Sequence, residues 1–262
     1  MDQPVALVTG AARGIGAATV GVLASDGWHV VAIDACESGA PTAYPAPTES
    51  DLRAVVSAHG SACEGAVADV RDGAAMSGVV RDLVDRHGRL DCVVAAAGIV
   101  AGGAPLWEIG DDEWAAVLDT DLTGVWHTVR PAMPHVLAAP GPRRVVVVAS
   151  AAGSLGLRHM GAYAAAKHGV IGLVRSLAAD LAGTGATANA VSPGSTRTPI
   201  LDASAAIYEI DDPSDFVRHQ EPLGRLIEPD EVAATIAWLC SDAASAITGA
   251  VVAVDGGMTA TN

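Results

Sequence analysis

The sequence predicts an α/β fold, a single doubly wound parallel sheet of about seven strands with helices on both faces. Three observations carry the prediction. Short β-branched runs, such as Val5-Ala-Leu-Val-Thr9 and Arg144-Val-Val-Val-Val148, alternate with helical stretches along the whole chain. The first of these runs leads directly into a glycine-rich turn that opens a helix. Half of the 262 residues are apolar, enough to fill one large core. No internal repeat or compositional break divides the chain, so residues 1–262 are expected to form one domain.

Bulk properties exclude several partners. Net charge is −15, with 30 acidic residues against 15 Lys and Arg. Nucleic acid and anionic membrane surfaces both need basic patches and are not expected to bind. The four cysteines (Cys36, Cys63, Cys92, Cys240) are scattered without a Cys-x-x-Cys pair, and read as reduced small hydrophobes. No motif spacing marks a metal site, and no metal is expected. No apolar run reaches the ~18–20 residues of a membrane span. Met-Asp-Gln-Pro leads straight into a strand with no signal-peptide n-region, so a soluble cytoplasmic protein is expected.

Taken in order, strand 5–9 ends in Gly10-Ala-Ala-Arg13-Gly14-Ile15-Gly16, followed by a helix through Ser25. Glycines let a backbone approach a pyrophosphate, and the helix N-terminus offers free N–H groups and partial positive charge. The order strand, glycine turn, helix therefore points to a dinucleotide. A second strand, 30–33, ends at Asp34, eighteen residues past Gly16. A carboxylate there accepts hydrogen bonds from a ribose diol and repels a 2′-phosphate, which selects NAD over NADP. Arg13 lies inside the glycine turn, and no basic residue follows Asp34 directly, so NADP is disfavoured.

Residues 35–48 are an inserted loop. Its part 37–48 holds Pro41, Pro45 and Pro47, spacing that neither helix nor central strand tolerates. It exceeds the usual ~2–6 residues of a βα connection and lies beside the expected adenosine end of the cofactor. Helix 50–59, strand 62–68, helix Gly73–His87 and strand 90–96 follow. Asp69, at a strand end before Val70, can meet an adenine amino group or cap a helix. A helix over 111–133 and strand 144–149 lead to Ser150. Strand 187–191 runs into Ser192-Pro193-Gly194-Ser195-Thr196-Arg197-Thr198, and a looser segment, 199–226, precedes helix 229–241 and a last strand, 250–254.

The chemistry centres on Tyr163-Ala-Ala-Ala-Lys167, with Ser150 thirteen residues before the tyrosine. Positions i and i+4 share a helix face, so phenol and ammonium can enter one cleft. A phenol ionises near pH 10, and a positive charge ~4–6 Å away favours the phenolate and brings it toward useful acid/base strength. Lys167 is the only lysine among fifteen Lys and Arg residues. A compact ammonium suits a crowded site better than a planar guanidinium. Ala149-Ser150-Ala-Ala-Gly153 lacks the G-x-S-x-G elbow of a serine hydrolase.

Together, Thr9-Gly10-x-x-x-Gly14-x-Gly16, Asp34, Asp69-Val70, Ala97-Gly98, Ser150, Tyr163-x-x-x-Lys167 and Pro193-Gly194 resemble the short-chain dehydrogenase/reductase family over nearly the whole chain. The resemblance implies a Rossmann-like fold and interconversion of a small-molecule secondary alcohol and its ketone. Tyr163 would exchange a proton with the substrate oxygen while hydride passes to or from NAD. Lys167 would bind the nicotinamide ribose and depress the phenol's pKa, and Ser150 would orient the alcohol or carbonyl. The 193–198 loop would hold the carboxamide, chiefly through Thr198 with Thr196 beside it, and 199–226 would form the substrate lid. A homotetramer is implied as well.

Two positions depart from the family pattern. Ala95-Ala96-Ala97-Gly98 stands where Asn-Asn-Ala-Gly is usual, which removes polar groups expected to brace the cofactor. Asp121-Leu-Thr-Gly124 stands where the catalytic tetrad has Asn-x-x-Gly. An ionised Asp accepts hydrogen bonds but cannot donate them. The proline-rich insertion with Ala-Tyr44-Pro45 is similar to that of the subgroup coupled to mycofactocin, a peptide-derived redox carrier, which implies tightly held NAD. The competing expectation is a catalytically silent NAD sensor on the same fold, for which a paired phenol and ammonium have no use.

Overall fold

Seven short apolar runs form the strands of one parallel sheet. They are β1 (Val5–Thr9), β2 (His29–Asp34), β3 (Cys63–Val67), β4 (Cys92–Ala95), β5 (Arg144–Val148), β6 (Thr187–Pro193) and β7 (Val251–Val254). The computed structural model describes residues 3–36, 42, 44–220 and 222–260. The strand order is β3-β2-β1-β4-β5-β6-β7. The order reverses between β1 and β4, and ligands of such sheets bind beyond the carboxyl ends of the strands at that point.

Alternation along each strand divides the core. From β1, Ala6 and Val8 pack with Val20 and Leu23 of α1 (Gly14–Ser25) and with Val232, Ile236 and Leu239 of α8 (Pro229–Cys240). Val5 and Leu7 face the other way, onto Met76, Val80 and Leu83 of α3 (Gly73–His87) and Ala132 and Val136 of α5 (Gly124–Ala138). On that same side α6 (Gly161–Asp180) packs Val170, Ile171 and Val174 against β5 and β6. α2 (Glu49–Ala58) starts with Thr48 and Asp51 in a reciprocal capping box. No helix among the described residues is long and apolar enough to cross a membrane.

The single helix expected over 111–133 is two helices joined by an irregular turn. α4 (Asp111–Leu118) leads into a π-turn at Asp119–Thr123, and α5 then runs past Pro131 and Pro134 to Ala138. The segment expected to be loose over 199–226 holds a regular helix, α7 (Pro199–Ile207), and a 3-10 stretch, Pro213–Gln220. Of the expected insertion, residues 37–41 and 43 lie outside the described residues.

Candidate active site

The glycine turn is shaped by close backbone approach. Gly10 has φ +68°, and a Cβ there would sit 2.8 Å from Ala97 Cα. A Cβ on Gly16 would meet the Gly10 carbonyl oxygen at 2.1 Å. These contacts lock the turn against the loop after β4. The Thr9 hydroxyl accepts from the Ala96 and Ala97 amides at 3.2 and 3.3 Å. The loop Ala96-Ala97-Gly98 is thus held through its backbone amides by the neighbouring strand, with no polar side chain of its own. α1 starts without a side-chain cap, and Ile15 lies in its first turn and lines the cleft.

Asp34 sits at the carboxyl end of β2, as its position in the sequence predicts. Its carboxylate accepts from the Ala12 amide (3.0 Å) and the Cys36 amide (3.3 Å), which aims it at the mouth of the cleft. Arg13 turns away from the glycine turn and onto the insertion. Its Nη1 donates to the Pro45 carbonyl at 2.7 Å, and its guanidinium lies 5.3 Å from the Tyr44 ring centre. Asp69 lines the cleft but is already engaged by Arg71, whose Nε donates to Asp69 Oδ2 at 2.8 Å. Val70 packs on Gly124 and gives its carbonyl to His127 Nδ1 at 3.1 Å.

On the far wall, Pro193, Gly194, Thr196 and Thr198 follow β6. The Thr196 hydroxyl donates to the Gly194 carbonyl (3.1 Å), while the Thr198 methyl lies within 3.3 Å of where a Gly14 Cβ would stand. Gln220, which sequence reasoning passed over, pins this loop. It is fully buried, and its Nε2 donates to the Ser195 and Arg225 carbonyls, each at 3.1 Å. Its only outward signal is scarcity, since the chain has just two glutamines.

The reactive side chains meet on the cleft floor. Tyr163 and Lys167 lie one turn apart on α6, 8% and 4% exposed, with the ammonium 5.5 Å from the ring centre. Ser150, just past β5, hydrogen-bonds Tyr163 and also accepts from the Ala152 amide at 3.1 Å. Lys167 Nζ donates to the Val148 carbonyl (3.3 Å) and stands 3.1 Å from Asp121 Oδ2. Asp121 is fully buried in the π-turn, and its Oδ1 accepts from the Ile99 amide at 2.8 Å. A π-turn of this kind, frequent at functional sites, swings the carboxylate inward. Gly98 leaves room for it, because a Cβ there would lie 3.1 Å from Asp121 Oδ2 and 3.3 Å from Lys167 Nζ.

Electrostatics at this floor oppose one another. Burial raises the Tyr163 pKa above its ordinary value; Lys167 and the Ser150 hydrogen bond pull it down, and Asp121 pushes it up. Burial depresses Lys167, yet Asp121 and Tyr163 outweigh it and hold the ammonium above its usual range. Burial raises the Asp121 carboxyl, against the pull of Lys167 and of the Ile99 amide.

Tyr44 is the second residue missed by sequence reasoning about the site. From the insertion it reaches 56 residues along the chain, and its hydroxyl oxygen accepts from the Val100 amide at 3.2 Å. Burial pushes its phenol up to about 12. With Arg13 on one side and Val100 on the other, the loop is tied to both walls of the cleft.

The cleft is continuous from Asp34 and Asp69, past the glycine turn, to Ser150, Tyr163 and Lys167. These residues fit a dinucleotide: a carboxylate at one end, an uncapped helix start at the middle and a paired phenol and ammonium at the other. Beyond Tyr163 the lining becomes apolar, with Leu157, Met160, Ile200, Tyr208 and Phe216.

Residues 10–259 match the family described as enoyl-(acyl carrier protein) reductase. The chain is 41% identical over 258 residues to cis-4-hydroxycyclohexanecarboxylate dehydrogenase of Sinomonas cyclohexanicum, covering 98% of this chain and 97% of that protein. It is 36% identical over 273 residues to (−)-trans-carveol dehydrogenase of Rhodococcus erythropolis, covering 99% and 98%. Among solved structures, carveol dehydrogenase from Mycobacterium avium in complex with NAD superposes with a TM-score of 0.93 at 32% identity, over 98% of both chains.

Proposed function

This chain belongs to the short-chain dehydrogenase/reductase family, and from that premise we propose that it oxidises a cyclic secondary alcohol to its ketone, and the reverse, with Tyr163 as acid/base. It is an NAD-dependent alcohol dehydrogenase or ketone reductase. The observation that carries the fuller reading is the buried Ser150–Tyr163–Lys167 cluster at the end of a cleft that begins at Asp34. Relatives named for hydroxycyclohexanecarboxylate and carveol, together with the apolar lining beyond Tyr163, support a cyclic, terpenoid-like substrate.

Asp34 would hold the adenosine ribose, and the Gly10–Gly16 turn with the α1 N-terminus the pyrophosphate. Pro193, Gly194, Thr196 and Thr198 would line the carboxamide end, with Asp69, Val70, Ala97 and Gly98 along the opposite wall. When bound, NAD supplies the hydride acceptor. The Ser150 hydroxyl holds the substrate oxygen beside Tyr163 Oη, so that the phenolate takes the alcohol proton as the carbon–hydrogen bond breaks. Lys167, kept protonated by Asp121, stabilises that phenolate and would donate to the nicotinamide ribose. Val148 and Asp121 fix the ammonium, so it acts from one position.

The insertion supports tightly held NAD that is reoxidised in place by a carrier such as mycofactocin. Arg13, Tyr44 and Val100 tie the loop across the cleft, so NAD is expected to survive desalting. Turnover should then need an artificial electron acceptor, and Tyr44→Ala should make the cofactor exchangeable. Rapid steady-state turnover of the intact protein with added NAD alone would contradict this. Cofactor choice is tested at Asp34: NAD should bind more than about tenfold tighter than NADP, and Asp34→Ala should narrow the gap. Equal affinities in a titration would sink the assignment. The reading includes a homotetramer, for which edge strand β7 and α8, with half-exposed Trp238, offer apolar surface. A monomer in light scattering at micromolar concentration would refute it.

A further inference from the structure

Three side chains with metal-binding donors converge at the end of the sheet opposite the catalytic cleft. His29 opens β2, Glu64 is the second residue of β3, and His87 ends α3. Five residues of strand, about 17 Å, separate His29 from Asp34. The parallel register pairs Val31 with Glu64, so His29, two residues before Val31, projects on the same face as Glu64. α3 packs on that face through Leu83 and brings His87 to it. One donor atom from each residue lies within 4.8 Å of the other two.

The details match a ligand set better than a surface cluster. The His29 and His87 rings are tilted by 39° with centres 4.3 Å apart, and His87 Nε2 meets Glu64 Oε1 at 2.9 Å. His29 Nε2 is buried and has no hydrogen-bond partner. An imidazole nitrogen buried without a partner beside two other donor atoms is placed to take a metal ion. Arg86 opposes a cation here: its Nη2 donates to Glu64 Oε1 at 2.8 Å from a half-exposed side chain.

We propose that His29, Glu64 and His87 form a site for a borderline divalent cation such as Zn2+, held by two imidazole nitrogens and a carboxylate oxygen with water in the fourth position. Two imidazoles and a carboxylate suit zinc rather than magnesium or calcium. The metal would staple β2, β3 and α3 at the amino end of the sheet. No sequence motif marks the site, because its ligands come from three elements and are 23 or more residues apart.

The test uses the full chain, stripped with chelator and titrated with Zn2+ against a chromophoric competitor, with Co2+ absorption as a second readout. One equivalent should bind with a tetrahedral Co2+ spectrum, and Zn2+ should raise the thermal midpoint. His29→Asn and His87→Gln should each weaken that equivalent by about 10–100-fold or more. Arg86→Gln, at an exposed position, should tighten it severalfold by freeing Glu64 from a competing charge. The site is refuted if the histidine variants bind Zn2+ as the unaltered protein does. It is refuted equally by no stoichiometric binding, or by weaker binding in Arg86→Gln.

Discussion

Replacing Tyr163 with Phe is expected to lower kcat/KM for alcohol oxidation by about 10²–10⁴-fold, the usual worth of a positioned acid/base group. The phenyl ring fits the space that Tyr163 occupies, so only the hydroxyl between Ser150 and the substrate is lost. NAD affinity should change little, because Asp34, the glycine turn and Lys167 are untouched. Steady-state kinetics on the variant, paired with a fluorescence titration of NAD, separate the two effects. Retention of more than a tenth of the activity would assign the proton to another group. Ser150→Ala should lose less, since Tyr163 keeps its base function and forfeits one positioning hydrogen bond.

Asp121→Asn is expected to move the lower limb of the kcat/KM–pH profile toward acid by about one unit, equivalent to ~1.4 kcal/mol. The sign follows from the charges around Tyr163. Lys167 favours the phenolate, and Asp121, 3.1 Å from the ammonium, offsets part of that field and raises the phenol's pKa. An asparagine oxygen still accepts from the Ile99 amide, so the π-turn keeps its anchor while the negative charge goes. Oxidation uses the phenolate; a lower phenol pKa extends activity to lower pH. A carboxylate that only anchors the turn would, on substitution, cost thermal stability and leave the profile in place. An alkaline shift would mean that the Asp121 charge does not oppose the phenolate, and would contradict the electrostatic account.

The parts of this molecule that were legible in the sequence are those written locally. β-branched runs, the glycine turn and the i, i+4 spacing of Tyr163 and Lys167 each carry their signal within a few residues. The seven-stranded parallel sheet and the position of Asp34 at a strand tip followed from them. The π-turn at Asp119–Thr123 did not, because one extra residue in a helix leaves no compositional mark. α5 outlasted its expected end because packing of Ala132 and Val136 on the sheet outweighs the amides missing at Pro131 and Pro134. α7 had a readable start, Thr198-Pro199, a capping residue type followed by proline at the first helical position. The expectation of a lid obscured it. Tyr44, Gln220 and the His29–Glu64–His87 cluster act through tertiary contacts that cross the chain, and no window of sequence contains them.

Transfer of isotope from alcohol to cofactor tests the central claim most directly. The protein is loaded with NAD and mixed with cyclic secondary alcohols carrying deuterium on the carbinol carbon, and the nucleotide is recovered and weighed by mass spectrometry. One deuterium per reduced nicotinamide is predicted with at least one alcohol, and none with the Tyr163→Phe variant over the same time. Tight NAD binding with no deuterium transferred from any alcohol would contradict the account and leave a nucleotide-binding sensor in its place.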